Sequence, residues 1–193
     1  MVTTGGIPMD AMEVILSRRS IRRYMPDPLP EEAIRRVLEA GMAAPSAGDE
    51  RPWHFVVITD KEMLAQIPTF HSLSRFVPNA AAAILVCADL FLSKYPPADY
   101  WVQDCSAATQ NILLAAHATG LGAVWLGVHP EKKRIEGFRR LCLLPDSVVP
   151  FSLVSLGFPA VRKEKDPRFD PSRVHRDRWT PAEDTGTRGG ETT

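Results

Sequence analysis

Cysteine is scarce in this sequence, and the three that occur, Cys87, Cys105 and Cys142, are odd in number, widely spaced and set among apolar neighbours. That pattern argues against a disulfide framework or a zinc site and suits reduced thiols in a cytosolic core. An excess of one charge is missing too: 23 basic and 23 acidic residues cancel, with no long block of either. A general electrostatic grip on nucleic acid or on an anionic membrane is therefore not expected. No stretch is apolar enough to span a bilayer, because the longest apolar helix candidate, 100–119, carries Gln103, Asp104, Gln110, Asn111 and His117. The opening MVTTGGIPMD has no basic stretch leading into an apolar one, so no signal peptide is expected and the chain reads as cytoplasmic. A Gly-x-Gly-x-x-Gly turn, a Walker loop and a nucleophile elbow are also absent. Their absence disfavours classical dinucleotide and triphosphate binding and leaves acyl transfer without support.

What is there is enough apolar material for a core. With 193 residues, 45% of them hydrophobic, a single domain is expected over residues 8–179, and the Gly- and Thr-rich ends, 1–7 and 180–193, are expected to be mobile. Asp10 can cap a helix running to about Arg19 with Met12, Ile15 and Leu16 on one face. Pro30, Glu31 and Glu32 open a second helix through Met42. WHFVVIT from Trp53, AAILVCA from Ala82, AVWLGV from Ala123 and FSLVSLG from Phe151 read as buried strands. Helices are expected at 60–67, 100–119 and 131–141, with Gly120 and Gly122 marking the end of the long one. The order is that of a layered fold without internal repeats, and alternation alone suggests a parallel sheet.

Three constellations could carry chemistry. RRSIRRY, residues 18–24, packs four arginines into seven positions of a chain with no net charge. Basic residues complement a helix C-terminus, which accounts for Arg18 and Arg19; Arg22 and Arg23 continue past it, and guanidinium groups with a serine hydroxyl between them suit a phosphate. Both readings stand at this point. APSAGDERPWHF, residues 44–55, is poor in side-chain bulk at Pro45, Ser46, Ala47 and Gly48, as an ordinary turn is, or a backbone that must approach a flat ligand. AVWLGVHP, residues 123–130, places Gly127 near the end of an apolar strand, where a bulge or a backbone contact to a ligand would use it. His54 and His129 read as structural, and Phe70 and His71 as a substrate rim or a packed surface helix. In 162–179, seven Lys or Arg face four Asp or Glu; Phe169, Val174 and Trp179 would anchor that run and hold Arg168 in place.

Taken in order and spacing, SRRSIRRY, APSAGDERPWHF, WVQDCSAATQNILLAAHATGLGAVWLGVHP and SLGFPA with its basic tail resemble the nitroreductase family over roughly residues 10–179. The resemblance implies an α+β, three-layer fold with a mixed, mostly antiparallel sheet flanked by helices, in an intertwined homodimer with FMN at the subunit interface. By motif match, Arg18, Arg19, Ser20 and Arg22 would meet the FMN phosphate, ribityl chain and pyrimidine edge, and Arg168 and Lys165 would return to the phosphate. Pro45, Ser46 and Ala47 would run along the ring, and Leu126 with Gly127 would bring a backbone N–H to flavin N5. Asp49 stands where many members have asparagine; its carboxylate would oppose negative charge on the reduced ring, or pair with Arg51 and turn away. The activity implied is ping-pong hydride transfer from NADH or NADPH to a small nitroaromatic, quinone or enone acceptor, with no indispensable protein acid or base. Alternatives are another flavin reaction, such as dehalogenation or flavin breakdown, and a noncatalytic FMN-binding or regulatory module.

Overall fold

The apolar runs from Ala82 and Phe151 become the two inner strands of a four-stranded sheet. The computed structural model describes residues 10–93, 99–164 and 167–179. Its strands are β1 (Trp53–Ile58), β2 (Ala82–Asp89), β3 (Gly122–Gly127) and β4 (Val148–Gly157), in the order β1-β2-β4-β3 with every neighbouring pair antiparallel. β2 and β4 are buried almost throughout, because helices cover both faces. β1 and β3 are the edges; β3 is still largely buried, whereas β1 exposes His54 and Val57, so the expectation of four buried strands fails at β1.

The helices are α1 (Ala11–Ser17), α2 (Glu31–Met42), α3 (Lys61–Gln66), α4 (Tyr100–Ala118) and α5 (Lys132–Cys142). On one face α4 and α2 pack on Ile84, Val86, Val154 and Leu156; on the other, Leu64 of α3 and Phe138 of α5 pack on Ala83, Leu85, Val124 and Leu153. The result is three layers. α2 meets α4 closely because Gly41 has no side chain: a Cβ there would stand 2.9 Å from Ile112 Cγ1 and 3.3 Å from Phe55 Cζ. The alternation of strands and helices does not make the sheet parallel. β2 and β3, joined through α4, do run the same way, but β4 inserts between them and pairs antiparallel with both, and β1 pairs antiparallel with β2, so no two strands of one direction are neighbours.

Two local expectations are corrected. α1 ends at Ser17, not at Arg19, since Arg18 has already turned to extended backbone (φ −54°, ψ 131°). Its Met12, Ile15 and Leu16 are 57%, 51% and 57% exposed, and Val14 is the residue that enters the core. Gly122 begins β3; the long helix is closed by Gly120, whose φ of +80° suits glycine. The expected mobile ends, 1–7 and 180–193, lie outside the described residues, as do positions 8–9 of the expected domain and Lys165. Among the described residues, no helix is long and apolar enough to cross a membrane.

Candidate functional site

The arginine-rich segment leaves α1 and straps the open edge of β3. Ile21 N donates to Ala123 O at 3.0 Å, and Ser20 pairs with Ala123 in the one parallel bridge on that edge, which makes the otherwise antiparallel sheet mixed. Farther on, Met25 N donates to Phe158 O and Ala160 N to Arg23 O. The strap is pinned from below by Tyr24, whose hydroxyl donates to Ile21 O at 2.8 Å and lies 2.7 Å from Ser155 Oγ; burial pushes its pKa up to about 12.

Extended backbone sends alternate side chains to opposite sides. Ser17, Arg19 and Ile21 line a cavity of about 500 Å³ beneath the strap, with His117 and Leu121 on its other wall. There Ser17 Oγ donates to Glu13 O, so His117 Nε2 donates to Ser17 Oγ at 2.7 Å and ties α1 to α4. Arg19 Nε donates to Glu164 O and its Nη1 to Leu16 O and Arg18 O, clamping the tail to the end of α1, while its buried Nη2 has no hydrogen-bond partner. Arg18, Ser20 and Arg22 are left for the other side. Burial, then the charges of Arg168 and Arg19, hold the Arg18 pKa below its ordinary value. The fold thus brings cations from residues 18–22 and from the tail into one field, which an anion would relieve.

At the far end of the same edge stands Gly127. Val128 N donates to Phe151 O, so the even-numbered residues of β3 turn their peptide groups to β4 and the odd-numbered ones turn theirs to the open side. Gly127 therefore points its N–H outward. A Cβ at Gly127 would meet nothing within 4 Å and its φ is not positive, so neither packing nor a turn requires glycine there. Its carbonyl is doubly held, by His71 Nε2 at 3.0 Å and Arg134 Nη1 at 2.8 Å. Leu126 is 5% exposed and its side chain belongs to the core.

The loop with Pro45, Ser46, Ala47 and Asp49 lies elsewhere, between α2 and β1. Ala47 N donates to Asp104 Oδ1 at 2.9 Å and Arg51 N to Ser46 Oγ at 2.9 Å. Gly48, Asp49 and Arg51 have φ of 57°, 55° and 51°, a left-handed turn that directs Asp49 onto Arg51. Two bonds, at 2.7 and 2.8 Å, engage both carboxylate oxygens, and the guanidinium holds the Asp49 pKa down. Asp104, 5% exposed in α4, has its pKa raised by burial first, with the charge of Glu50 acting the same way.

The structure therefore assembles Arg18, Ser20, Arg22, Arg168, Leu126 and Gly127 around one sheet edge and sets the 45–49 loop at another. Sequence reasoning missed His71 and Arg134 as partners of Gly127, and Asp104 as the anchor of Ala47. Only Asp104 had a local signal, an acid inside an apolar helix. Among the described residues, no group of three or more His, Cys, Asp or Glu side chains could hold a metal ion.

Comparison with known proteins gives this edge a context. The Nitroreductase family model matches residues 15–69 and 71–158. A protein of Methanothermobacter thermautotrophicus, provisionally named NADH dehydrogenase/NAD(P)H nitroreductase, is 52% identical over 171 residues, 89% of this chain and 88% of that one. A crystal structure under the same provisional name, from Parabacteroides distasonis, superposes with a TM-score of 0.83 at 38% identity over 88% of this chain and 98% of its own. A provisionally named nitroreductase of Desulfovibrio desulfuricans, solved in complex with FMN, superposes with a TM-score of 0.77 at 31% identity over 90% of this chain and 100% of that one.

Proposed function

The chain belongs to the nitroreductase family, and from that premise we propose that it is an FMN-dependent NAD(P)H oxidoreductase whose flavin lies along the open edge of β3. The observation that carries the reading is the edge itself. Cations are strapped at its Ala123 end, and a glycine with an outward N–H and open space where a Cβ would stand lies at the other, four residues or about 13 Å along. A ligand with a phosphate at one end and a flat ring at the other fits both.

Arg18, Ser20 and Arg168 hold the phosphate end, with Lys165 beside Arg168 in sequence, and Arg22 supplies positive charge toward the pyrimidine edge. The backbone of Leu126 and Gly127 offers its N–H at the ring. Arg19 contributes by fixing the strap rather than by reaching the ligand with its side chain. When bound, FMN supplies the redox chemistry, accepting hydride at N5 and donating it on. The protein binds, orients and biases the charge. Donor and acceptor use the same exposed face in turn, which gives ping-pong kinetics with a small nitroaromatic, quinone or enone acceptor. The three free cysteines suit a reducing cytoplasm.

The site is completed by a second copy. β1 and β3 are opposite edges of a four-stranded sheet, about 14 Å apart, and the loop of Pro45, Ser46, Ala47 and Asp49 enters β1. A partner's loop, in a homodimer, can reach the ring that the chain's own loop cannot. The exposed stripe of Met12, Ile15 and Leu16 is a surface such a dimer would cover.

The test is the visible spectrum of the purified protein after FMN loading, before and after anaerobic NADH and, separately, NADPH. Flavin bands bleached by either donor are expected. Bands that persist with both would favour a noncatalytic module, and a protein that takes up no FMN would overturn the reading.

A further inference from the structure

A strand carbonyl at a sheet edge ordinarily has water or a neighbouring strand as its partner. That of Gly127 has instead two side chains from two separate elements: His71, from the turns after α3, and Arg134, from α5. His71 is held there by packing. His71 is 1% exposed, its main chain is fixed by its own N–H on Ile67 O and by Ser74 N and Oγ on its carbonyl, and Phe70 beside it lies edge-on to Phe138 at 5.0 Å. Because a carbonyl only accepts, His71 must present Nε2–H, and its Nδ1, buried with no hydrogen-bond partner, carries the lone pair. Burial, and then the charge of Arg134, favour that neutral ring.

Glycine is the residue whose flanking peptides rotate most freely. Both polar groups of Gly127 face the open side, so an uncapped carbonyl would be offered to a bound ring beside the N–H. Here the even-numbered side of β3 is tied to β4 and the Gly127 carbonyl is tied to His71 and Arg134. The ladder to β4 thus turns the Gly127 N–H outward, and with the carbonyl beside it capped, the N–H is the group left open on that side. Resting on the functional reading above, we propose that His71 and Arg134 are positioning residues that lock Gly127 so that an N–H, and never a carbonyl, faces flavin N5. An N–H donor favours the oxidised ring, whose N5 has a free lone pair, and opposes the reduced ring, whose N5 carries hydrogen. The lock makes the reduced flavin readier to give hydride away.

The test is the affinity for oxidised and, under anaerobic conditions, reduced FMN, each measured by titration for the wild-type protein and for Arg134→Met, His71→Leu and His71→Gln. Loss of a positioned donor is expected to weaken binding of oxidised FMN about five- to tenfold while reduced FMN changes less than about twofold. His71→Gln, which keeps an N–H donor, should restore most of the difference. Arg134 lies toward the surface of α5, so its variant is expected to fold even if His71→Leu does not. A merely structural lesion would weaken both affinities together, and that result in Arg134→Met, or two unchanged affinities, would overturn the lock alone. A wild-type protein that binds no FMN would overturn the functional reading and the lock with it.

Discussion

His71 has a folded-state pKa below its ordinary value, and so do His117 and His129; in each case burial is the main cause, with nearby Arg134 acting on the first and Arg18 on the second. The unfolded chain takes up protons near pH 6.5 that the folded chain refuses until lower pH. Stability is therefore fully present above the unfolded pKa and is lost as pH falls through the folded values. We expect the thermal midpoint to hold from pH 8 to 7 and to decline below about pH 6.5, in calorimetry at constant ionic strength. His71→Gln should show a shallower decline. The arginines of the strap were legible in the sequence because they are neighbours in it. The bond from His71 to Gly127 spans 56 residues, and no local pattern announces it. At Asp49 the two options read from sequence were sorted only by left-handed backbone at Gly48, Asp49 and Arg51, which aims it at Arg51.

Among the elements, α5 supports the Gly127 end through a position that looks unremarkable in sequence. A Cβ on Gly137 would be driven into the Phe70 ring, which in turn adjoins His71. Overpacking of this kind costs about 1–3 kcal/mol, against a gain of at most about 1 kcal/mol in helix propensity. Gly137→Ala is expected to destabilise the fold by roughly 1 kcal/mol net, seen as a lower denaturant midpoint with an unchanged slope. The strands and the longer helices were readable because apolar runs and caps are local signals. The end of α1 was not, since Arg18 leaves the helix to join a strand edge more than 100 residues away. Strand pairing was misread from alternation alone because it depends on strand order: β4, last in sequence, inserts between β2 and β3. The family resemblance supplied the antiparallel arrangement instead.

Over the whole molecule, the proposed function requires the β3 edge of one copy and the loop before β1 of another to serve one ligand, since the two lie at opposite edges of the sheet. Sedimentation should show a dimer. Leu16→Glu, which would bury a carboxylate in an apolar contact, a cost of several kcal/mol, is expected to shift the protein toward monomer and to weaken FMN binding at least tenfold. A variant that stays dimeric with unchanged affinity would place the interface elsewhere than on α1.

The sequence by itself determined the strands, the longer helices and the motifs whose order and spacing carry the family resemblance, and through that resemblance the α+β plan, because apolar runs, helix caps and clustered arginines are signals between residues close together in the chain. Tertiary structure alone decided which side of the strap each arginine faces, that the carbonyl of Gly127 is held by His71 and Arg134, and that the 45–49 loop sits at the edge opposite β3. Those are consequences of strand order and of contacts between distant residues, which depend on how whole elements pack and not on any short stretch of sequence.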